Sequence, residues 1–476
     1  MSTLNSAPPR YVQIARSLES SIRTGTLRAG EKAPSIRALS RQRRVSISTA
    51  MHAYLWLERR GLLEARPRSG FYIRVPEPAV RNTLPCTRTI PKAVGVRALF
   101  GHVIRDVADP SNLQLAIDAP RPGLLPADRL NVIIRDTIRR NPGHSSHYQC
   151  PLGSEFLRRQ IARRALRYGC ELAEDDLIVT AGATEALSLA LRAITRPGDA
   201  VAVESPADFS LLQSIESLGL TAIEVPTDSE LGMDLEYLDR LARKRKPAAC
   251  IAMPNCQNPL GYVLPGQRKR ELVDLITRRG IPLIENDVSG DLAFSGRPEP
   301  AKSFDTAGLV ILLSSFSRVL CPGFRVGWVS GGRFHDAIGR LKFTSSLSTA
   351  SLQQLVVARF LESGEYERHI RRLSKFYHNQ LQVAIEASST YFPAGTRFTR
   401  PAGGSLLWIE LPPGIRGLDL YAQALQHKIA ILPGELFSSG ARFSGHFRIS
   451  CGGLRPEELE PALKTLGDLC YRMLEL

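Results

Sequence analysis

The sequence predicts an α/β protein in two parts. A small N-terminal winged helix-turn-helix precedes a larger body with a mainly parallel central sheet and a smaller C-terminal α+β subdomain. Three observations support this reading. Residues 1–80 carry fourteen Lys/Arg against five Asp/Glu, so +9 of the net charge of +16 sits at one end. Over the same stretch the apolar spacing gives three helices and then a hairpin. From about residue 112, short apolar runs alternate with amphipathic helices, as in a parallel sheet covered on both faces.

At 476 residues the chain exceeds one ordinary core, and 43% hydrophobic with 23% charged residues is a globular balance. No run of apolar residues is long enough to span a bilayer, and Met1 to Arg10 holds no apolar signal core. No membrane partner is expected. The eight cysteines form no C-x-x-C pair or Cys/His cluster, which points to reduced thiols and a cytoplasmic location. The basic N-terminus calls for a polyanionic partner, or else is a solvated basic face.

Tyr11 to Thr24 places Val12, Ile14, Ala15, Leu18 and Ile22 at near-helical spacing and stops at Gly25. A second short helix runs through Leu39 to about Arg43. Val45-Ser46 opens a third, Ile47 to Arg60, with Ala50, Ala53, Tyr54 and Leu57 on one face and Gly61 after it. Leu62 to Arg66 and Gly70 to Val75 alternate as two strands around the basic tip Arg66-Pro67-Arg68-Ser69-Gly70. Ser46, Ser48, Thr49 and His52 fall on the first turns of the third helix, where side chains reach phosphates and base edges in a major groove.

These residues resemble the GntR-type module. The matching elements are Tyr11-Val12-Gln13-Ile14-Ala15, Gly25 to Leu39, Val45 to Thr49, Ala53 to Gly61 and Arg66 to Ile73. The resemblance implies a DNA-binding domain over residues 8–76 with double-stranded operator DNA as partner. Arg37 would contact the operator, and Arg66 and Arg68 on the wing would meet backbone or minor groove. Many relatives carry arginine where this chain has Ile47, which removes one guanine contact.

Prolines 76, 78, 85, 91 and 110 interrupt periodicity, so residues 77–111 read as a linker with one short helix near Lys92 to Val107. Beyond it, residues 112–476 form the body. Leu177–Thr180, Ala200–Val203, Ala249–Met253, Pro282–Ile284 and Val310–Leu313 are its buried-strand candidates. After about Leu352 the pattern is helical and then mixed.

The string Ser315-Phe316-Ser317-Arg318, followed by Pro322-Gly323-Phe324-Arg325-Val326-Gly327, resembles the lysine segment S-x-S-K-x-x-x-P-G-x-R-x-G of fold-type I aminotransferases. In that family the lysine forms a Schiff base with pyridoxal phosphate (PLP). Joined to the N-terminal module, the body makes the chain similar to the MocR subgroup of GntR regulators. The resemblance implies a fold-type I aminotransferase-like body, a homodimer and a PLP-type cofactor. Arginine in place of lysine stays protonated and offers no amine nucleophile, so no covalent aldimine is expected.

Other residues follow from the same resemblance. Gly182, Ala183 and Thr184 match the turn that holds the cofactor phosphate, where free N–H groups open a helix. Ser315, Ser317 and Arg325 match the remaining phosphate contacts. Tyr148 matches a tyrosine that crosses to the partner's phosphate, Asn258 an asparagine at the ring oxygen, and Arg448 the arginine for a substrate carboxylate. Asn286 aligns with the aspartate that holds the pyridinium nitrogen, although a one-residue shift would give that role to Asp287. Ser289 stands where the family has tyrosine. Asp208 stands where a ring-stacking aromatic is expected, with Phe209 as a neighbouring substitute.

These changes leave several readings open. Arg318, Arg325 and Arg448 would put two or three cations in one cleft, suited to a phosphate or dicarboxylate effector. Arg318 would instead fill a dead pocket if it pairs with Asp208 or Asp287. PLP or pyridoxamine phosphate could bind noncovalently through the phosphate alone. An active PLP enzyme would need another lysine, with Lys302 and Lys342 nearest in sequence. A ligand-free dimerisation body is the remaining alternative.

Overall fold

The computed structural model describes residues 9–23, 27, 30–66, 69–74, 96–140, 143, 147–440 and 442–475. Gly25, Arg68 and the linker residues up to 95 lie outside the described residues. The chain divides into two compact units, Met1–Thr89 and Ile90–Leu476.

The first unit contains α1 (Arg10–Arg23), α2 (Ile36–Arg43), α3 (Ile47–Arg59) and the antiparallel strands β1 (Leu63–Arg66) and β2 (Gly70–Ile73). Serines start both later helices. The Ser35 hydroxyl accepts from the Ala38 N–H and Ser46 from the Thr49 N–H, each at 3.1 Å, satisfying donors that a helix start leaves free. Arg44, with φ 50°, turns the chain between α2 and α3. The predicted face of α3, Ala50, Ala53, Tyr54 and Leu57, is the buried one; it packs on Ile14, Ala15 and Leu18 of α1 and on Leu39. Tyr54 donates to the Pro34 carbonyl at 2.6 Å, and burial pushes its hydroxyl up to about 12.

The body begins with α4 (Val96–Ala108) and β3 (Leu113–Gln114), then α5 (Ala127–Arg140) and α6 (Glu155–Leu166). Next come β4 (Leu177–Thr180), α7 (Ala183–Ile194), β5 (Ala200–Ser205), α8 (Phe209–Ser217), β6 (Thr221–Asp228) and β7 (Gly232–Met233). After α9 (Leu235–Lys244) follow β8 (Ala249–Ala252), α10 (Gly266–Arg279), β9 (Leu283–Asn286), β10 (Val310–Ser315) and β11 (Gly327–Ser330). The eight-stranded sheet has the order β4-β11-β10-β9-β8-β5-β6-β7. Strands β10, β9, β8, β5 and β6 run parallel, while β11 is antiparallel to both its neighbours.

The last section holds α11 (His335–Ser346), α12 (Ser351–Glu362) and the long α13 (Glu365–Tyr391). An antiparallel sheet follows, β12 (Arg397–Phe398), β13 (Leu406–Glu410), β15 (Leu432–Pro433) and β16 (His446–Ser450), with α14 (Gly417–Gln426), β14 (Ile429–Ala430) and α15 (Pro456–Leu474). This is the expected α+β subdomain. One boundary differs from the sequence reading. Leu99 and Val103 of α4 lie in the same core as Leu407, Ile409 and Leu463, and β3 pairs in parallel with β14. The helix assigned to the linker is therefore part of the body.

Glu204, the penultimate residue of β5, is buried, accepting from the Met253 N–H at 3.1 Å, from Gln257 at 3.3 Å and from the Tyr262 hydroxyl. Burial outweighs these hydrogen bonds and pushes the carboxyl up to about 7 from an ordinary 4.5. The folded state then holds this proton more tightly than the unfolded chain. Its contribution is full below pH 4.5 and is lost as pH rises through about 7, a change on the order of 3 kcal/mol. Glu204→Gln is expected to flatten the urea midpoint over that window. A pH profile identical to wild type would contradict the assignment.

Candidate ligand pocket and DNA-binding face

The parallel register brings the carboxyl ends of β4, β5, β8, β9 and β10 to one edge of the sheet, the usual place for a ligand crevice in α/β folds. Residues far apart in sequence meet there: Gly182 after β4, Asp208 after β5, Asn258 after β8, Ser289 after β9, and Ser317 and Arg318 after β10.

One end of the crevice is a cup. Gly182 takes φ 87°, ψ 176°, a conformation almost confined to glycine, and stands at the N-cap of α7 with no side-chain cap. A Cβ there would collide with the Arg325 guanidinium. Arg325 donates to Ser317 at 3.0 Å and to the Ala181 carbonyl at 3.1 Å, and the Ser315 and Ser317 hydroxyls are 3.1 Å apart. Glu185, in the first turn of α7, would oppose an anion. Its carboxylate is held by Lys342 at 2.9 Å and by Ser346 at 2.6 Å. Arg325 has no carboxylate partner among the described residues, so the cup keeps a positive balance.

The other end is a closed set of charges. Arg318 is ion-paired with Asp118, donates to Ser289 at 3.1 Å and lies 3.6 Å from Asp208. Burial works against its charge, but Asp118 and Asp208 outweigh burial and hold the guanidinium protonated beyond its ordinary range. Asp208 also caps α8 through Ser210 at 2.8 Å and accepts from Asn258 at 2.5 Å. Arg448, 1% exposed, donates to Asn258 at 3.2 Å and to the Ala116 carbonyl. Burial is the main cause that pulls it down to about 10. Its Nε and the Asn286 Oδ1 are buried without a hydrogen-bond partner.

Several expectations change here. The partner of Arg318 is first Asp118, which the sequence reading missed, and Asp208 second. Asp287 is occupied elsewhere, paired with Arg297 and accepting from Asn255 at 3.1 Å. The three arginines do not form one free cationic cleft: Arg318 and Arg448 are matched by Asp118 and Asp208, and Arg325 stands alone in the cup. Phe209 does not replace an aromatic at Asp208; its ring packs against Phe100 and Phe437, each at 6.0 Å. Lys302 donates to Asp305 and to the Val310 carbonyl, both at 2.8 Å, and Lys342 to Glu185 and Thr349. Both amines are spent in structural bonds. Tyr148 is 89% exposed, outside this crevice.

Asp118 was recoverable in principle. It is the one acid in the run Leu113 to Pro120, and a lone charge in an otherwise apolar stretch needs a buried partner. Ser405, which donates to it at 2.8 Å, had no such signal.

In the N-terminal unit, Arg37, Ser46, Ser48 and His52 are exposed, and Thr49 is half-buried. The Ser46 hydroxyl lies 2.8 Å from those of both Ser48 and Thr49, so this cluster is already bonded within itself. The His52 ring sits 6.0 Å from that of Tyr11. On the wing, the Arg66 guanidinium stacks on Tyr72 at 4.4 Å.

Residues 123–466 match the family model for aminotransferase class I and II, and residues 10–73 match that for bacterial regulatory proteins of the gntR family. Two Escherichia coli K12 proteins described as HTH-type transcriptional regulators, YjiR and YdcR, are each 37% identical to the chain. Each alignment covers 98% of this chain and all of the relative. The chain belongs to the GntR-type transcriptional regulators with an aminotransferase class I and II body. The regulator's body is also similar to solved aminotransferases. Pyrococcus horikoshii kynurenine aminotransferase superposes with a TM-score of 0.74 at 28% identity, over 79% of this chain and 95% of that one. Thermus thermophilus LysN, an alpha-aminoadipate aminotransferase solved with a phosphopyridoxyl-leucine adduct, gives 0.73 at 26%, over 78% and 95%. Among the described residues of the regulator no helix is long and apolar enough to cross a membrane.

Proposed function

We propose that this regulator binds operator DNA as a homodimer and senses a small phosphate-bearing anion in its aminotransferase-like body without forming an internal aldimine. The observation that carries the proposal is Arg318. In this reading it occupies the Schiff-base lysine position, and Asp118 and Asp208 hold it as a permanent cation.

The residues fit one end of PLP and not the other. The cup of Gly182, Ala183, Thr184, Ser315, Ser317 and Arg325 suits a phosphate. The ring end lacks an amine for the aldehyde. It also presents the Asn286 amide where a carboxylate would hold a pyridinium, and the Asp208 carboxylate where an aromatic would stack. No catalytic step follows from such a site. This favours a binding role over an enzyme that carries a DNA tether.

Exposure of Tyr148 supports its facing a second subunit, and a dimer would raise operator affinity by linking two winged helices. Signalling requires that the anion bind two conformations of the body unequally. The polar group closest to such a choice is Asp118, which lies on the segment joining β3 to α5 and answers to Arg318. The test is footprinting of the full-length protein on duplex DNA at moderate salt, with and without pyridoxal phosphate. Protection of a defined sequence that changes with the added anion is expected. Absence of any protected sequence would contradict the regulator reading.

A further inference from the structure

Beside the polar residues at the start of α3 lies an exposed apolar pair. The Ser46 hydroxyl bonds to those of Ser48 and Thr49, and the His52 ring lies 6.0 Å from that of Tyr11. Ile47, the first residue of α3, is 56% exposed, and Met51, one turn on along the same face, is 37% exposed.

Their surroundings identify what covers them. Arg37, Arg41 and Arg44 are exposed on α2 and the turn, and no acidic residue occurs from Ala33 to Leu57. Such a field suits the phosphate backbone of a duplex and opposes a basic protein surface, including a second copy of this module. In a helix-turn-helix the N-terminal residues of the second helix meet base edges in the major groove. An isoleucine there has no donor or acceptor. The one feature of that groove it can attract is the 5-methyl group of thymine, while an opposed cytosine amino group would lose water and gain no partner.

We propose that Ile47, backed by Met51, is a specificity-determining residue that reads thymine methyl groups in the operator half-site. The inference rests on the DNA-binding reading above and adds which base the module selects.

The test begins with full-length protein and selection of bound sequences from a randomised duplex library. Each thymidine of the selected duplex is then replaced singly by deoxyuridine, which removes only the methyl. Affinities of wild type and Ile47→Ala are measured by fluorescence anisotropy at fixed salt and over a salt series. Loss of one methyl contact is worth about fourfold in affinity. At one or two positions per half-site, deoxyuridine should weaken wild type by about that factor and leave Ile47→Ala unaffected, with the salt dependence equal in both. Equal responses of the two proteins to deoxyuridine, or a selected site without thymine preference, would overturn the assignment. So would a change of oligomeric state in Ile47→Ala with base preference intact, since the apolar pair would then be a protein contact. Salt-sensitive binding in any of these cases leaves DNA binding itself standing; no binding at any salt overturns both.

Discussion

Replacing Arg318 by alanine is expected to destabilise the body by about 3 kcal/mol, read as a fall in its urea-unfolding midpoint. The side chains of Asp118 and Asp208 are largely buried, and both depend on this guanidinium. Without it, two carboxylates share one low-dielectric site. Asp118 then keeps only the Ser405 hydroxyl among its direct hydrogen bonds, and Asp208 keeps Ser210 and Asn258. Arg448 is too committed to Asn258 and the Ala116 carbonyl to replace the lost charge. The loss comes mainly from an uncompensated buried charge, not from a forfeited attraction. The double substitution Arg318→Ala with Asp118→Asn should therefore recover most of the stability. A single variant as stable as wild type would show that Arg318 does not hold these acids together.

Gly182→Ala is expected to weaken binding of pyridoxal phosphate by about tenfold to a hundredfold, measured by calorimetry on the full-length protein. The new Cβ must displace the Arg325 guanidinium, and it also forces a side chain into the backbone region of φ 87°. A charge-assisted hydrogen bond contributes about 1.5–3 kcal/mol, which sets the size of the loss. Arg325→Ala should reproduce the loss without the backbone strain. Unchanged affinity in both variants would mean that the anion binds outside the cup.

Periodicity made much of this architecture legible. The five strands expected from apolar runs are all in the central sheet, because a strand buried on both faces must be apolar along its length. The three helices and hairpin were readable because apolar faces and, at α2 and α3, serine caps are local features. What escaped was non-local or disguised. Strand β6 carries Glu224 and Pro226, which break the apolar signature. The helix α4 sits among prolines, and its apolar face gives no sign of which body it packs against. The cup residues lie in short contiguous motifs and could be named from them. The Arg318–Asp118 pair spans two hundred positions, and no local pattern specifies which acid answers a buried arginine. The Ser46 hydroxyl suits both a base contact and a helix cap: it accepts from the Thr49 N–H and lies 2.8 Å from the Ser48 and Thr49 hydroxyls.

The central claim is that the crevice keeps an anion cup and has no Schiff-base amine. The measurement that tests it most directly is the absorbance spectrum of the full-length protein with pyridoxal phosphate, before and after borohydride reduction, beside Arg318→Lys. No reducible Schiff-base band is expected in wild type, and a reducible band is expected in Arg318→Lys, since the cup would then face an amine. A reducible band in wild type would contradict it, because another lysine would have to reach the bound aldehyde.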